Sequence, residues 1–137
     1  MLRLKVRIRR VDGKFSQDLI AIANSGFVGL KPEIVLPQNV INDLKLNEVA
    51  ESRISRKITG DGREIQFVRF ENSVEVYLIA EDRTEGPIIA DAITTHGARY
   101  VLLNDKLLGA FRIVLLDFAE GIWCFRDELG KKERRSY

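Results

Sequence analysis

The stretch that decides the fold of this chain is Ala21-Ile22-Ala23-Asn24-Ser25-Gly26-Phe27-Val28-Gly29, which is followed by Ile34-Val35-Leu36-Pro37. An apolar run from Leu19 to Ala23 stops abruptly at three residues that favour turns. Gly26 can adopt a positive φ and allows other backbone to come close. The pattern predicts a buried strand that ends in a tight polar turn, called here the elbow (residues 24–26), whose side chains are presented at a defined place.

This arrangement resembles the active-site segment of retropepsin-like aspartic peptidases. In that family an apolar strand is followed by Asp-Thr/Ser-Gly, a short loop and a second apolar strand that ends near Pro and a helix. Ser25 and Gly26 match the second and third positions of the triplet, and Phe27 and Gly29 resemble the Phe-x-Gly that often follows it in prokaryotic members. The first position differs, because Asn24 stands where the family carries its catalytic aspartate. The resemblance covers roughly Leu2–Phe125 and implies a mostly β, closed acid-protease barrel with one or two short helices and a flap hairpin.

Outward from the elbow, periodicity and turn signals predict a chain made mainly of strands. Leu2–Arg10 alternates apolar and basic residues, which is typical of a half-buried strand, and Asp12-Gly13 predicts a hairpin turn into a second strand, Phe15–Ala23. Asp91–Gly97 gives no clear pattern. Other strands are predicted at Ile34–Pro37, Arg53–Thr59, Arg63–Phe70, Val74–Ala80, Pro87–Ala90, Tyr100–Leu103, Ile113–Leu116 and Ile122–Phe125, with short helices at Pro37–Leu46 and Asp105–Arg112.

The hairpin turn at Gly60, Asp61 and Gly62 falls where the resemblance places the flap, the arm that closes over bound peptide. An ordinary exposed hairpin is the alternative interpretation. Polar flanks and two glycines suit an arm that moves, because such an arm has little apolar area to hold it down.

The family also carries an apolar-apolar-Gly motif in its last third, before a short helix and a final strand pair. Leu102-Leu103-Asn104 is one candidate for it, with Asn in place of Gly, and Asn tolerates a left-handed backbone better than most residues. Leu107-Leu108-Gly109 keeps the literal motif and is the other candidate.

The length of 137 residues suits one domain, which we expect to span residues 1–126, with a frayed polar tail at residues 127–137. Cys124 is the only cysteine, so an internal disulfide is excluded, and an inert buried thiol in a reducing compartment is favoured. The only histidine, His96, has no second His or Cys nearby, so we expect a surface loop and no metal site. The N-terminus has no signal-peptide core and no apolar run is long enough for a membrane span, so we expect a cytoplasmic protein without a membrane partner.

The resemblance implies the chemistry of aspartic peptidases, in which two carboxylates share a proton and activate one water. A chain this short supplies one elbow, so the resemblance implies a homodimer whose two elbows meet at a two-fold axis. The substrate would be an extended peptide, and no cofactor is implied. The resemblance places Asn24, Ser25 and Gly26 at the catalytic position, and places Phe27 with Gly60–Gly62 against the substrate. The Asn24 carboxamide takes up no proton at useful pH, so we expect no turnover from the chain as written.

Three functional hypotheses follow. The first is a retropepsin-like peptidase whose catalytic aspartate has been replaced. The second is a natural pseudopeptidase that binds extended peptides or acts in assembly. The third is a small β-barrel that binds nucleic acid through the basic face of Arg3, Lys5, Arg7 and Arg9, although a net charge of +2 and the lack of interleaved aromatic residues favour a solvated strand face instead.

Overall fold

The computed structural model describes residues 1–137. Ten strands make up most of the fold: β1 (Arg3–Arg10), β2 (Ser16–Ala23), β3 (Glu33–Val35), β4 (Ser52–Ile58), β5 (Glu64–Ile79), β6 (Thr84–Thr94), β7 (Val101–Leu103), β8 (Ile113–Asp117), β9 (Ile122–Phe125) and β10 (Arg134–Arg135). The two α-helices are α1 (Gln38–Leu44) and α2 (Asp105–Ala110), and 3-10 turns lie at Leu46–Glu48 and Arg126–Glu128. Neither α-helix has the length and apolar character that crossing a membrane requires.

Six strands close into a barrel in the order β1-β2-β7-β3-β6-β5, because β5 pairs back onto β1. The expectation of a mostly β, closed barrel with one or two short helices is confirmed at this level, and the structure has two. The alternation in β1 explains its inner face, since Leu4, Val6 and Ile8 are buried while the basic residues between them face outward. Strand β4 lies outside the closed ring and pairs only with the first half of β5, so the two form a projecting hairpin.

Strand β5 is a single strand of 16 residues, where the sequence predicts two separate strands. Its register against β6 shifts between Phe70 and Val74, and Asn72 has a φ of 49°. The irregularity bends the strand, so that its first half pairs with β4 and its second half pairs with β1. Strand β6 also exceeds the predicted Pro87–Ala90 and includes residues 91–94, because its end pairs with both β3 and β5.

The polar C-terminal segment, predicted to fray, is ordered on a second, three-stranded sheet of β8, β9 and β10. Arg134 is buried and forms ion pairs with Asp82 and Glu128. Its guanidinium also lies over the rings of Trp123 and Phe125, at 5.8 and 5.2 Å from their centroids. Composition alone does not reveal these partners, and they explain why the prediction of a frayed tail is wrong.

The strand that ends at the elbow is held by two neighbours. Strand β2 pairs with β1 on one side and runs parallel to β7 on the other, where Ala23 lies opposite Leu103. Strand β7 also pairs with β3, so it lies between the strands that precede and follow the elbow. This order fixes the end of β2 at one edge of the barrel.

Candidate functional site

The elbow is a tight turn that begins as β2 ends. The Asn24 N–H donates to the Leu103 carbonyl at 3.1 Å, and the Phe27 N–H donates to the Asn24 carbonyl at 3.0 Å. The Asn24 carboxamide and the Ser25 hydroxyl make no hydrogen bond within the chain, and both are at least partly exposed, so they are free to bind a ligand. Gly26 does not adopt a positive φ, which corrects the expected reason for a glycine there.

A groove of about 790 Å³ opens beside the elbow. One wall is the elbow with Phe27 and Val28, and a second wall is the tip of the β4–β5 hairpin over residues 57–60. Residues 95–102 form a third wall, and Val35 and Phe67 complete the lining. Eight of the fifteen lining residues are hydrophobic, which is the usual composition of a binding site, with a few polar groups among apolar ones.

The residues proposed for the site from sequence divide into two groups. Asn24, Gly26, Phe27 and Gly60 line the groove. Ser25 is exposed beside it, while Asp61 and Gly62 lie in the hairpin turn without lining it. In that turn Asp61 accepts hydrogen bonds from Thr59 and Arg63, and Gly62 has a φ of +83°, the left-handed conformation that ends a three-residue hairpin loop.

Asn104 follows β7 directly and caps α2 from a fully buried position. Its side-chain oxygen accepts from the N–H groups of Leu107 and Glu33, both at 2.9 Å, and its amide nitrogen donates to the Lys31 carbonyl at 2.9 Å. Its φ is −80°, so the expected left-handed backbone is absent and the side-chain bonds give the reason for asparagine here. Gly109, the alternative motif position, lies inside α2.

A buried ion cluster, made of Glu33, Asp91, Arg69, Lys31 and Lys57, supports the groove from behind. Glu33 and Asp91 are 2% and 1% exposed and lie directly opposite each other in the parallel pair of β3 and β6. Like charges in that relation repel, and Arg69 relieves the repulsion by binding both carboxylates. Lys31 binds Asp91 at 2.7 Å and Lys57 binds Glu33 at 2.8 Å.

The ionisation of Asp91 reflects this setting. Burial alone would raise the pKa of Asp91, but hydrogen bonds from Lys31, the Asn72 N–H and Arg69 outweigh burial and hold the pKa below its usual value. Burial would likewise lower the pKa of Arg69, and its bonds to Asp91 and Glu33 raise it instead. Asp91 and Arg69 therefore stay charged at neutral pH.

Lys57 connects the hairpin to the elbow side of the groove. Its ammonium donates to the Val28 carbonyl at 3.2 Å and to Glu33, and it lies 5.1 Å from the centroid of the Phe27 ring. Gly29 allows the side chains of Glu33 and Asn104 to lie close to the backbone at position 29. A Cβ there would collide with the Glu33 carboxylate and lie 2.6 Å from Asn104 Nδ2. The hairpin is thus tied to the elbow side of the groove close to its tip, at Lys57.

Sequence reasoning missed this cluster and the third wall. A signal for the buried acids exists, because Asp91 is the only charge in the run Ile88–Thr94 and Glu33 begins a strand with no exposed residue. The third wall carries no comparable signal, since residues 95–100 come to the groove through strand pairing far along the chain.

Half of the cations on the basic face of β1 are paired with carboxylates. Arg7 binds Asp18 at 2.7 Å and Arg9 binds Glu75 at 3.0 Å, so two of its four cations already have a carboxylate partner. This lowers the positive charge that a nucleic-acid phosphate backbone would meet.

Comparison of the chain with protein-family models, with curated proteins and with solved structures finds no match.

Proposed function

We propose that this chain is a retropepsin-like peptidase scaffold that binds extended peptides as a homodimer and lacks hydrolytic activity because Asn24 stands at the position of the catalytic aspartate. One observation carries the proposal: the polar elbow at the end of a buried strand and the tip of a hairpin line the same groove. A peptide in that groove would contact elbow and hairpin together, as a flap arrangement requires.

The surface around the groove supports the homodimer. Leu30 is fully exposed, and Val28, Ile58 and Tyr100 are each more than 60% exposed. Apolar side chains gathered beside a groove are typical of a surface that another chain covers. A second copy docked there would bring two elbows together.

The missing chemistry follows from the side chain at position 24. General acid–base assistance is worth about 10²–10⁴-fold for each group, and by symmetry a homodimer loses both groups at once. The groove lining contains no Asp or Glu that could replace them. Binding without cleavage is the outcome.

Asn24→Asp tests the proposal, since it restores both carboxylates in the dimer. We expect the variant to cleave denatured protein at acidic pH, where one of two facing carboxyls holds a proton, and we expect the unaltered chain to bind the same peptides without cleaving them. Asn24→Ser is the matched control, because it keeps a polar side chain and supplies no carboxylate. If Asn24→Asp cleaves nothing between pH 3 and 7 and the unaltered chain binds no peptide, the proposal fails.

Association gives an independent check. Two facing carboxylates repel at a dimer axis and two carboxamides do not. The unaltered chain should therefore dimerise at least as tightly as Asn24→Asp near neutral pH in sedimentation experiments. A monomeric unaltered chain beside a dimeric variant would contradict the shared axis.

A further inference from the structure

The charges on the groove lining are all of one sign. Lys57 and Arg99 are the only Lys, Arg, His, Asp or Glu residues among its fifteen lining residues, and the carboxylate paired with Lys57, that of Glu33, is buried behind the lining. The nearest acid of the hairpin, Asp61, is bound to Arg63 and does not line the groove. A ligand in the groove thus meets positive charge without a competing carboxylate.

The two cations differ in what they already bind. Lys57 is held by Glu33 and the Val28 carbonyl, as described above. Arg99 forms no ion pair and no hydrogen bond within the chain and is exposed at the rim. Its five N–H donors are therefore free for a planar acceptor such as a carboxylate.

The cluster behind the groove does not cancel this charge. Its three cations, Lys57 included, face two carboxylates, so one positive charge is left over on the side of the groove wall that Lys57 forms. The apolar lining residues lower the local polarity once a ligand covers them, which strengthens the field that the ligand feels.

We propose that the groove selects extended peptides that carry an acidic side chain among apolar ones, with Arg99 binding the carboxylate, and that it discriminates against basic residues at the same position. The inference rests on the proposed function, because it takes the groove to be the peptide site. It deepens that function by naming the class of sequence that binds.

The experiment uses fluorescein-labelled decapeptides with Leu and Phe on both sides of one variable position, occupied by Glu, Gln or Lys. We expect the Glu peptide to bind the unaltered chain about 5–10-fold more tightly than the Gln peptide, the effect of one partly desolvated ion pair, with the Lys peptide weakest. Raising NaCl from 50 to 300 mM should reduce the preference, because part of the pair faces solvent.

Arg99→Gln should abolish the preference for Glu, measured as the ratio of the affinities for the Glu and Gln peptides, and Arg99→Lys should restore part of the preference. Arg56→Gln is the matched control, since Arg56 is an exposed cation of the β4–β5 hairpin that does not line the groove, and it should change nothing. Unaltered thermal unfolding of Arg99→Gln would show that the fold is intact, as expected for a residue without internal contacts.

The outcomes separate the two proposals. If Glu and Gln peptides bind the unaltered chain equally well, or if Arg99→Gln keeps the preference, the acidic selectivity is overturned and the peptide site stands. If no peptide binds at any concentration up to 1 mM, the proposed function fails and takes the selectivity with it.

Discussion

Replacing Arg69 by methionine tests whether the buried ion cluster holds the elbow side of the groove in place. Arg69 is the one cation that binds both Glu33 and Asp91, and its side chain is only 16% exposed. Methionine fills much of the same volume and removes the charge. The change leaves the carboxylates of Glu33 and Asp91 facing each other without the guanidinium that lay between them.

The size of the effect follows from what each carboxylate retains. Removing one partner of a buried ion pair costs about 3–5 kcal/mol when the other is left unpaired. Here Glu33 keeps Lys57 at 2.8 Å and Asp91 keeps Lys31 at 2.7 Å. We therefore expect a loss of about 2–3 kcal/mol in the free energy of unfolding. At an unfolding entropy of about 2.1 cal/mol/K per residue over 137 residues, the melting temperature falls by about 7–10 °C.

Urea unfolding and thermal melting of Arg69→Met measure this loss, with Arg56→Met as the control. Arg56 forms an exposed pair with Glu64 at 3.3 Å on the same hairpin, and its loss should cost less than about 0.5 kcal/mol. Adding Glu33→Gln to Arg69→Met removes one uncompensated charge, so the double variant should lose less than the sum of the two single variants.

The pH dependence supplies the sharpest check. The pKa of Asp91 lies below its usual value in the fold, so its contribution to stability is complete above the unfolded pKa of about 3.9 and is lost as the pH falls through the folded value. The difference in the free energy of unfolding between the unaltered chain and Arg69→Met should thus become smaller below about pH 4. If Arg69→Met loses no more free energy of unfolding at neutral pH than Arg56→Met does, the reasoning is refuted.

Two glycines near the elbow should respond differently to alanine in urea unfolding. Gly29→Ala pushes a Cβ into Glu33 and should cost about 1–3 kcal/mol, whereas Gly26→Ala, whose nearest atom is at 3.4 Å, should cost less than about 0.5 kcal/mol; equal losses would contradict this. Lys57→Met removes the tie to the elbow side, so amide hydrogen exchange over residues 57–63 should accelerate while β1 is unaffected, and unchanged exchange at the hairpin would speak against the tie. A hydrogen bond from Arg134 lowers the pKa of Glu128 to about 2, so the stability gap between unaltered chain and Glu128→Gln should be full above about pH 4.5 and should close towards pH 2.

The strands and hairpins could be predicted because their signals are local. Period-two alternation identifies β1, and Asp12-Gly13 and Gly60-Asp61-Gly62 mark hairpin turns that the fold contains. The sequence predicts a break between Phe70 and Val74, and β5 is irregular at that point. That the two halves nevertheless form one strand could not be predicted, because it depends on their pairing with β4, β6 and β1.

The candidate site shows the same division. The elbow is one continuous stretch of sequence, so its polar turn after a buried strand can be predicted from the sequence alone. The wall that carries Arg99 and Tyr100 is brought to the groove by the pairing of β7 with β2 and β3, which depends on residues far along the chain. The buried acids Glu33 and Asp91 could be predicted only in part. An isolated charge in an apolar run indicates a buried cationic partner, but the sequence does not show which residue that partner is.

The elbow is built so that the residue at position 24 can be exchanged without disturbing its surroundings. Two backbone bonds hold the turn, one from the Asn24 N–H to Leu103 and one from the Phe27 N–H to the Asn24 carbonyl, and neither involves the side chain. The cluster behind the groove is anchored by Glu33 and Asn104, which do not contact that side chain through any hydrogen bond. Aspartate has nearly the same shape as asparagine, so Asn24→Asp should fold with the same groove and the same hairpin position. Absence of cleavage by that variant would therefore reflect missing chemistry or a missing second copy, and dimerisation measured on the same sample would separate the two.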